Sequence, residues 1–424
     1  MRRFLKDEKT RNACRIFCML EEAKGKKHLS FHTPGHKVPE YDLTELSFSD
    51  NLANPTGCIG QAEKDIADVL GAEKSFILTD GSTSGVYAML HAVRSLGVKK
   101  ILAPALSHQS FFNGCELLGL TPVLLTQREV DGIPLPLRVE EVAPRLKEVD
   151  ALFFTSPDYY GNIPLLAELH LLAVEQGKLV LIDGAHGGHL HFEKDLYAGA
   201  HADFWVDGVH KSLPAFTQGA VVSAKHENYA KALQKSVGYF RTTSPSYPIM
   251  ASVEYAVKYP RNEWLEEEAV ALACSLKNGY FGGDWSKLCL KVPRAEEEAE
   301  RLEKKGIYPE FATMNLLCFY LSPATTRDEF LVLKECLLEL DKQAKKEDEL
   351  VPVPTILREI KGETEEIDIE NAEGRVCAKA CGFFPPCLPF IQKGEVVKRS
   401  QIKWLSKAKS TFGLNGRKIT VVKQ

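Results

Sequence analysis

The chain of 424 residues has little that would tie it to a membrane, a metal ion or a nucleic acid. No run is long and apolar enough to span a bilayer. The start, MRRFLKDEKTRNACRIF, is charged and lacks the apolar core of a signal peptide. The formal net charge is only −4, so no basic excess points to nucleic acid. Cysteine numbers 11, scattered from Cys14 to Cys387 without the paired spacing of a metal site. Internal repeats and low-complexity segments are also missing. What is left is a reduced, cytoplasmic, globular protein, 44% hydrophobic and 26% charged, whose cysteines are mostly core filler. The length suits two or three domains.

Residues 1–40 read as a charged, helix-prone arm ending in the turn-forming SFHTPGHKVPE. From residue 41, short apolar runs alternate with amphipathic stretches. SFILTD precedes SGVYAMLHAVRSLG, KKILAPAL precedes SFFNGCELLGL, and DALFFTS precedes PLLAELHLLAVEQG, which KLVLIDGA follows. That alternation predicts an α/β domain over residues 41–264, with a mostly parallel sheet covered by helices on both faces. Ligands gather on such sheets where strand C-termini meet helix N-termini. Residues 265–424 are rich in Glu and Lys, with helical runs such as RAEEEAERLEKKG and a strand candidate, MNLLCFYLS; they read as a smaller α+β domain. EDELVPVPT and IKGETEEIDIENAEG read as solvated loops within it, and the basic end, KSTFGLNGRKITVVKQ, as an exposed tail or edge strand.

Three stretches fall at the ligand-gathering edge. LTDGSTSGVYAML ends a strand and opens a helix at Ser82, Thr83 and Ser84. These are good N-cap residues, and the same turn offers N–H groups, hydroxyls and a helix dipole to a phosphate. No Gly-Lys-Ser follows, so this is no P-loop. KLVLIDGAHGGHLHF ends an apolar strand at Asp183, whose half-buried carboxylate needs a cationic or donor partner. In DGVHKSLPAFTQGA the next strand ends just before His210 and Lys211. A surface lysine in a loop is the plain alternative for Lys211. An Asp and a Lys on successive strand ends, with a phosphate cradle nearby, suit pyridoxal 5'-phosphate. Its aldehyde takes a lysine, its ring nitrogen an acid, its phosphate a helix start.

A rival reading makes His186, His189 and His191 a zinc site. His189 and His191 alternate as on a strand, which is not the helical spacing of zinc hydrolases, so no metal is expected. His186 is placed near the cofactor ring, and His189 and His191 as ordinary polar loop or strand residues.

Taken together, SFHTPGHK, YDLTEL, NPTGCIGQAEKDIADVLGAEKSFILTDGSTSG, SHQSFF, TSPDYYGN, IDGAHGGH, DGVHKSLPAFTQGA and RTTSPSYPIMASVEYA resemble the Orn/Lys/Arg decarboxylase family. The resemblance runs from about residue 28 to 262 and returns at EGRVCAKACGFFPPCLPFIQKGE. It implies an aspartate-aminotransferase-like large domain of fold type I, in the short form without a wing domain. It further implies decarboxylation of arginine, lysine or ornithine, feeding polyamine biosynthesis. By resemblance, Lys211 carries the Schiff base, Asp183 pairs with the pyridine nitrogen, Ser82 and Thr83 hold the phosphate, and His210 lies beside it. His108 of SHQSFF stacks on the ring face and His186 lies near the ring edge. Thr243 and Ser244, within residues 242–246, reach the phosphate of a neighbouring subunit, which makes the protein a homodimer with shared active sites. Residues 32–37 line the entrance. Two departures stand out: Val38-Pro39 replaces the family's Gly-Gly, and Phe384-Pro385-Pro386-Cys387-Leu388-Pro389 replaces its Tyr-Pro-Pro-Gly-Ile-Pro. The second, which loses the tyrosine and the glycine, bears on substrate recognition and not on cofactor binding.

Other readings stay open at this point. Another fold-type-I reaction, such as transamination with Arg375 holding the substrate carboxylate or lyase chemistry, shares the same fold. A non-catalytic relative that keeps only the fold is the alternative outside enzymes.

Overall fold

The structure is a computed structural model that describes residues 1–24, 29–37, 40–130, 132–313, 315–343, 360, 362–383, 389–406, 408 and 410–423. The altered stretch Phe384 to Leu388, the pair Val38-Pro39 and all of EDELVPVPT lie outside the described residues.

The first 24 residues are not a detached arm. Leu5 precedes helix α1 (Glu8–Asn12), and helix α2 (Arg15–Lys24) follows it; Leu5 and, on α2, Ile16, Phe17 and Leu20 are buried in the main core. The N-terminus of α2 is held by Glu254, whose two carboxylate oxygens accept from Arg15 N–H at 2.7 Å and Ile16 N–H at 3.0 Å. A carboxylate there meets otherwise unpaired N–H groups and the positive helix end. Helix α3 (Cys58–Leu70) packs against α2 and leads into the main sheet.

That sheet contains β1 (Lys74–Leu78), β2 (Lys100–Pro104) and β3 (Thr121–Leu125); after a small hairpin of β4 (Glu129–Val130) and β5 (Ile133–Pro134), it continues with β6 (Ala151–Thr155), β7 (Leu179–Gly184), β8 (Phe204–Asp207) and β9 (Ala220–Ala224). Its order is β1-β9-β8-β7-β6-β2-β3. All neighbours are parallel except at β9, which runs antiparallel to β1 and β8. Helices α4 (Ser82–Ser95), α5 (Gln109–Leu118), α6 (Val139–Val142), α7 (Leu166–Glu175), the single turn α8 (Val209–Ser212), α9 (Glu227–Phe240) and α10 (Tyr247–Val257) complete the unit. In α4 the residues Val86, Met89, Leu90 and Val93 recur at helical spacing and are buried against the sheet. Each contributes about 1.5–3 kcal/mol of burial. The sheet's other face carries a separate cluster that includes Leu102, Leu152, Ile182 and Trp205. The predicted α/β class, a mostly parallel sheet buried on both faces, is the fold found.

A second sheet follows α11 (Glu263–Ser275). It holds β10 (Gly279–Tyr280), β11 (Lys287–Lys291), β12 (Phe311–Ala312) and β13 (Leu316–Tyr320) in the order β10-β11-β13-β12, with α12 (Ala295–Glu303) and α13 (Arg327–Gln343). Leu288, Leu290, Leu317 and Phe319 face these helices, while Cys289, Leu316 and Cys318 face Ile133 and Tyr159 of the main unit. Cys289 and Cys318 are register partners and are joined as a disulfide. Antiparallel register brings these two cysteines, 29 positions apart in the sequence, together on one face.

The last segment forms its own cluster from β14 (Thr364–Asp368), β15 (Cys381–Phe383), β16 (Pro389–Ile391), α14 (Arg399–Leu405), β17 (Thr411–Phe412) and β18 (Lys418–Val422). TEEID, expected as loop, is strand β14, paired along its length with β18. Its alternate residues are exposed, so its polar composition suits a strand with one solvated face. No helix among the described residues is long and apolar enough to cross a membrane.

Candidate active site at the strand ends

Most side chains of the site are delivered by a strand's C-terminal end. Parallel register sets Thr155 of β6 beside Asp183 of β7, and Gly184 beside Asp207 of β8. Helix α8 then carries His210 and Lys211 straight off β8. Gly208, between them, has no room for a side chain: a Cβ there would lie 2.4 Å from the carbonyl oxygen of Ala185. This close approach draws the Asp183 and Lys211 strand ends together.

A cavity of about 190 Å³ opens at this edge. Of the sequence-predicted residues it brings together Ser82, Thr83, His108, Asp183, His186, His210 and Lys211. Thr243 and Ser244 do not line it; both are exposed in the single chain. Their segment nevertheless starts beside the cradle, because Thr242 N–H donates to Asp80 at 3.3 Å. Arg241 anchors it through Glu63 at 2.7 Å, in a buried ion pair. Residues 32–37 are exposed and do not line the cavity either. Sequence reasoning missed Thr155, Tyr159, Thr217 and Gln218, which also line the wall. Their signal was present in TSPDYYGN and FTQGA, which end or begin strands at the same edge.

At the cradle, Gly81 adopts φ +85°, a left-handed conformation that favours glycine, and turns the chain into α4. No side chain caps this helix start, and the hydroxyls of Ser82 and Thr83 have no partner among the described residues. Fourteen helical residues therefore point an uncapped N-terminus at the cavity, a geometry that favours an anion.

The ionisable groups are set by burial. Asp183 accepts one hydrogen bond, from Ala185 N–H at 3.1 Å, and its carboxyl is pushed up by desolvation, partly offset by Lys211. Lys211 Nζ lies 3.2 Å from His186 Nε2. Burial holds His186 well below the usual imidazole range, and the Lys211 charge lowers it further. His108 caps α5, its Nδ1 accepting from Ser110 N–H at 3.2 Å, which fixes the ring plane. Burial pushes it down to about 4, with the Lys211 charge adding to the effect. His210 Nδ1 donates to the Gly219 carbonyl at 2.9 Å, leaving Nε2 for the cavity.

The remaining histidines correct the sequence reading. His189 and His191 sit on a single 3-10 turn, Gly188–Phe192, and not on a strand. His189 is no ordinary polar residue: it is buried and bonds Asp284 of the second sheet at 2.8 Å. His191 Nδ1 donates to the Gly188 carbonyl at 2.7 Å.

One buried acid is not part of the cavity. Tyr197 OH donates to Asp207 Oδ2 at 2.6 Å, while Oδ1 has no partner, and burial pushes this carboxyl up to about 7. Its folded value thus lies above the unfolded 3.8. Between these two values the folded state holds a proton that the unfolded state has lost, so this group's contribution to stability falls as pH rises. Asp207→Asn removes that dependence. The variant is expected to gain roughly 4 kcal/mol on wild type between pH 4 and pH 8. Urea midpoints of cofactor-free protein at both pH values check this, and parallel midpoints for the two proteins would contradict it.

Residues 25–280 match the family model described as Orn/Lys/Arg decarboxylase, major domain, and residues 337–413 match the C-terminal domain of the same family. The chain is 26% identical over 457 residues to an arginine decarboxylase of Bacillus anthracis, covering 92% of each. A solved constitutive lysine decarboxylase of Escherichia coli superposes with TM-score 0.76 at 18% identity, covering 97% of this chain and 82% of that one. A structure of SPT with PLP superposes at TM-score 0.56 and 17% identity, over 78% of this chain and 84% of that one. At these identities the two structures speak for the fold.

Proposed function

The chain belongs to the Orn/Lys/Arg decarboxylase family, and from that membership we propose that it removes the α-carboxylate of a basic amino acid, with pyridoxal phosphate as cofactor, to give an amine and CO2. The observation that carries the reading is a single cavity holding a buried carboxylate, a lysine amine and an uncapped helix start.

The residues present fit this cofactor. Asp183 is a desolvated carboxylate that a protonated ring nitrogen would partner. Thr155 Oγ1 is a buried hydroxyl on the cavity wall with no partner, suited to a polar substituent of the ring. Gly81, Ser82 and Thr83 would hold the phosphate, with His210 Nε2 beside it, and His108 would lie against the ring face. Bound there, pyridoxal phosphate supplies an electron sink for the pair left behind by departing CO2. Asp183 would hold a proton on the ring nitrogen, and Lys211 is the residue whose amine would hold the aldehyde. Lys211 Nζ, with His186 Nε2 3.2 Å away as the acceptor that orients it, is the group placed to return a proton to the α-carbon. Transamination is less well supported, since Arg375 is committed to Glu365 at 2.6 Å and the Val422 carbonyl at 2.8 Å in the last segment. Incubating the purified protein with arginine, lysine and ornithine and following amine and CO2 tests the reading. Release from none of the three would refute it.

The proposed assembly is a homodimer in which Thr243 and Ser244 complete the partner's phosphate site. Their exposure beside the cradle supports this, as does Ser246, whose side chain makes no capping hydrogen bond at the start of α10. Mixing Lys211→Ala with Thr243→Ala/Ser244→Ala subunits is expected to restore up to about a quarter of wild-type activity. Random exchange makes half the dimers mixed, and each mixed dimer has one intact site. No recovery after demonstrated subunit exchange would exclude the shared site.

A further inference from the structure

Strand alternation gives the second sheet one face toward its own helices and one toward the main unit. Lys287 and Tyr320 are register partners on the second of these faces. Lys287 is 1% exposed, an unusual state for a lysine, and its ammonium lies 4.5 Å from the centre of the Tyr320 ring. It pairs with Asp284 at 3.1 Å and donates to Ser286 Oγ at 2.7 Å. Asp284 in turn accepts from His189 Nε2 at 2.8 Å and from Ser286 N–H at 2.9 Å. Desolvation opposes its charge, but His189 and Lys287 outweigh that and hold its carboxyl well below the usual range.

This buried cluster grips the turn that carries His186. Lys287 Nζ lies 3.5 Å from the His186 carbonyl, and His189 is one helical turn further on. The Tyr320 ring meets the His186 ring edge-on with centroids 5.5 Å apart, and its hydroxyl donates to the Tyr159 carbonyl at 2.8 Å. Tyr159 also packs against His186, with ring centroids 4.6 Å apart. Buried ion pairs cost much of their Coulombic gain in desolvation, so stability alone is a weak reason for this one.

We propose that Asp284 and Lys287 are positioning residues: from the second sheet they fix the His186 turn so that His186 Nε2 stays within hydrogen-bond reach of Lys211 Nζ. The proposal rests on the reading of the cavity given above. An ammonium at Lys211 can only donate, so the held geometry requires His186 to accept at Nε2 and carry its proton on Nδ1.

The test uses Lys287→Met and the double variant Lys287→Met/Asp284→Asn. The single variant leaves a buried carboxylate without its cation and is expected to unfold at lower temperature; the double variant recovers most of that loss. Ring nitrogen NMR of cofactor-free, 15N-histidine-labelled protein then reports the tautomer, with the His186 signals assigned by His186→Gln. Wild type is expected to show one neutral Nδ1–H form, and the double variant averaged nitrogen shifts from both tautomers. In cofactor-loaded protein, kcat of the double variant is expected to fall at least about tenfold, the scale set by small misplacements of a reacting group, while KM stays within about threefold. A single tautomer retained in the double variant overturns the proposal. So does an unchanged kcat where the tautomer is lost, or a double variant that does not fold, which would assign the pair to stability alone. A wild type that releases no amine would refute the decarboxylase reading instead, and the tautomer measurement would still decide the positioning role.

Discussion

Lys211→Ala is expected to leave a folded protein with no measurable turnover, a loss of at least about 10³-fold, and with no covalently held cofactor. Lys211 is the lysine that lines the cavity. The other amine close by, Lys287 Nζ, is 1% exposed and committed to Asp284 and Ser286, so it cannot take over. Lys211 sits on the single turn α8, half-buried, and the hydrophobic core does not depend on it. The thermal midpoint of cofactor-free protein should therefore stay close to wild type. Two spectra decide the matter. Wild type loaded with pyridoxal phosphate should show a visible band that borohydride abolishes, with added mass on the peptide carrying Lys211. The variant should show neither. An unchanged band in Lys211→Ala would remove this residue from the site.

Asp183→Asn is expected to bind the cofactor, weakly, and to lose roughly 10- to 1,000-fold in kcat. An opposite charge at contact range shifts a partner's pKa by about 1–3 units, so a neutral amide lowers the protonated fraction of the ring nitrogen correspondingly. The stability expectation runs the other way. In the cofactor-free protein, burial pushes the Asp183 carboxyl up, so at neutral pH its charge costs the folded state more than the unfolded one. That cost sets in above the unfolded value of 3.8. The asparagine variant should then be at least as stable as wild type at pH 8, with no advantage at pH 4. Unfolding curves of cofactor-free protein at the two pH values check this. Near-normal turnover would show that Asp183 only ends its strand. A variant that is inactive and also unfolded would show that the carboxylate holds the strand end together.

What the sequence determined was local. Runs such as KLVLIDG and ADFWVDG are too apolar and too short for anything but buried strands, so Asp183 and Lys211 had to emerge at strand ends. GSTSG had to start a helix, because hydroxyls and glycine open the turn while the apolar residues that follow keep a helical period. Those motifs arrived at one edge because parallel strands with helical crossovers deliver every C-terminus to the same side of the sheet. What the tertiary structure decided was pairing across long separations. His189 and Asp284 are 95 positions apart, and the bond between them exists only because the second sheet closes on the main unit. Lys287 faces inward because register sets it opposite Tyr320. Cys289 and Cys318 became partners by the same register, and the polar TEEID became a strand because β18 offered it a backbone ladder. Local composition fixes where a chain bends and which face it hides. Which buried groups meet is set by how the hidden faces close on one another, and that depends on the whole core at once.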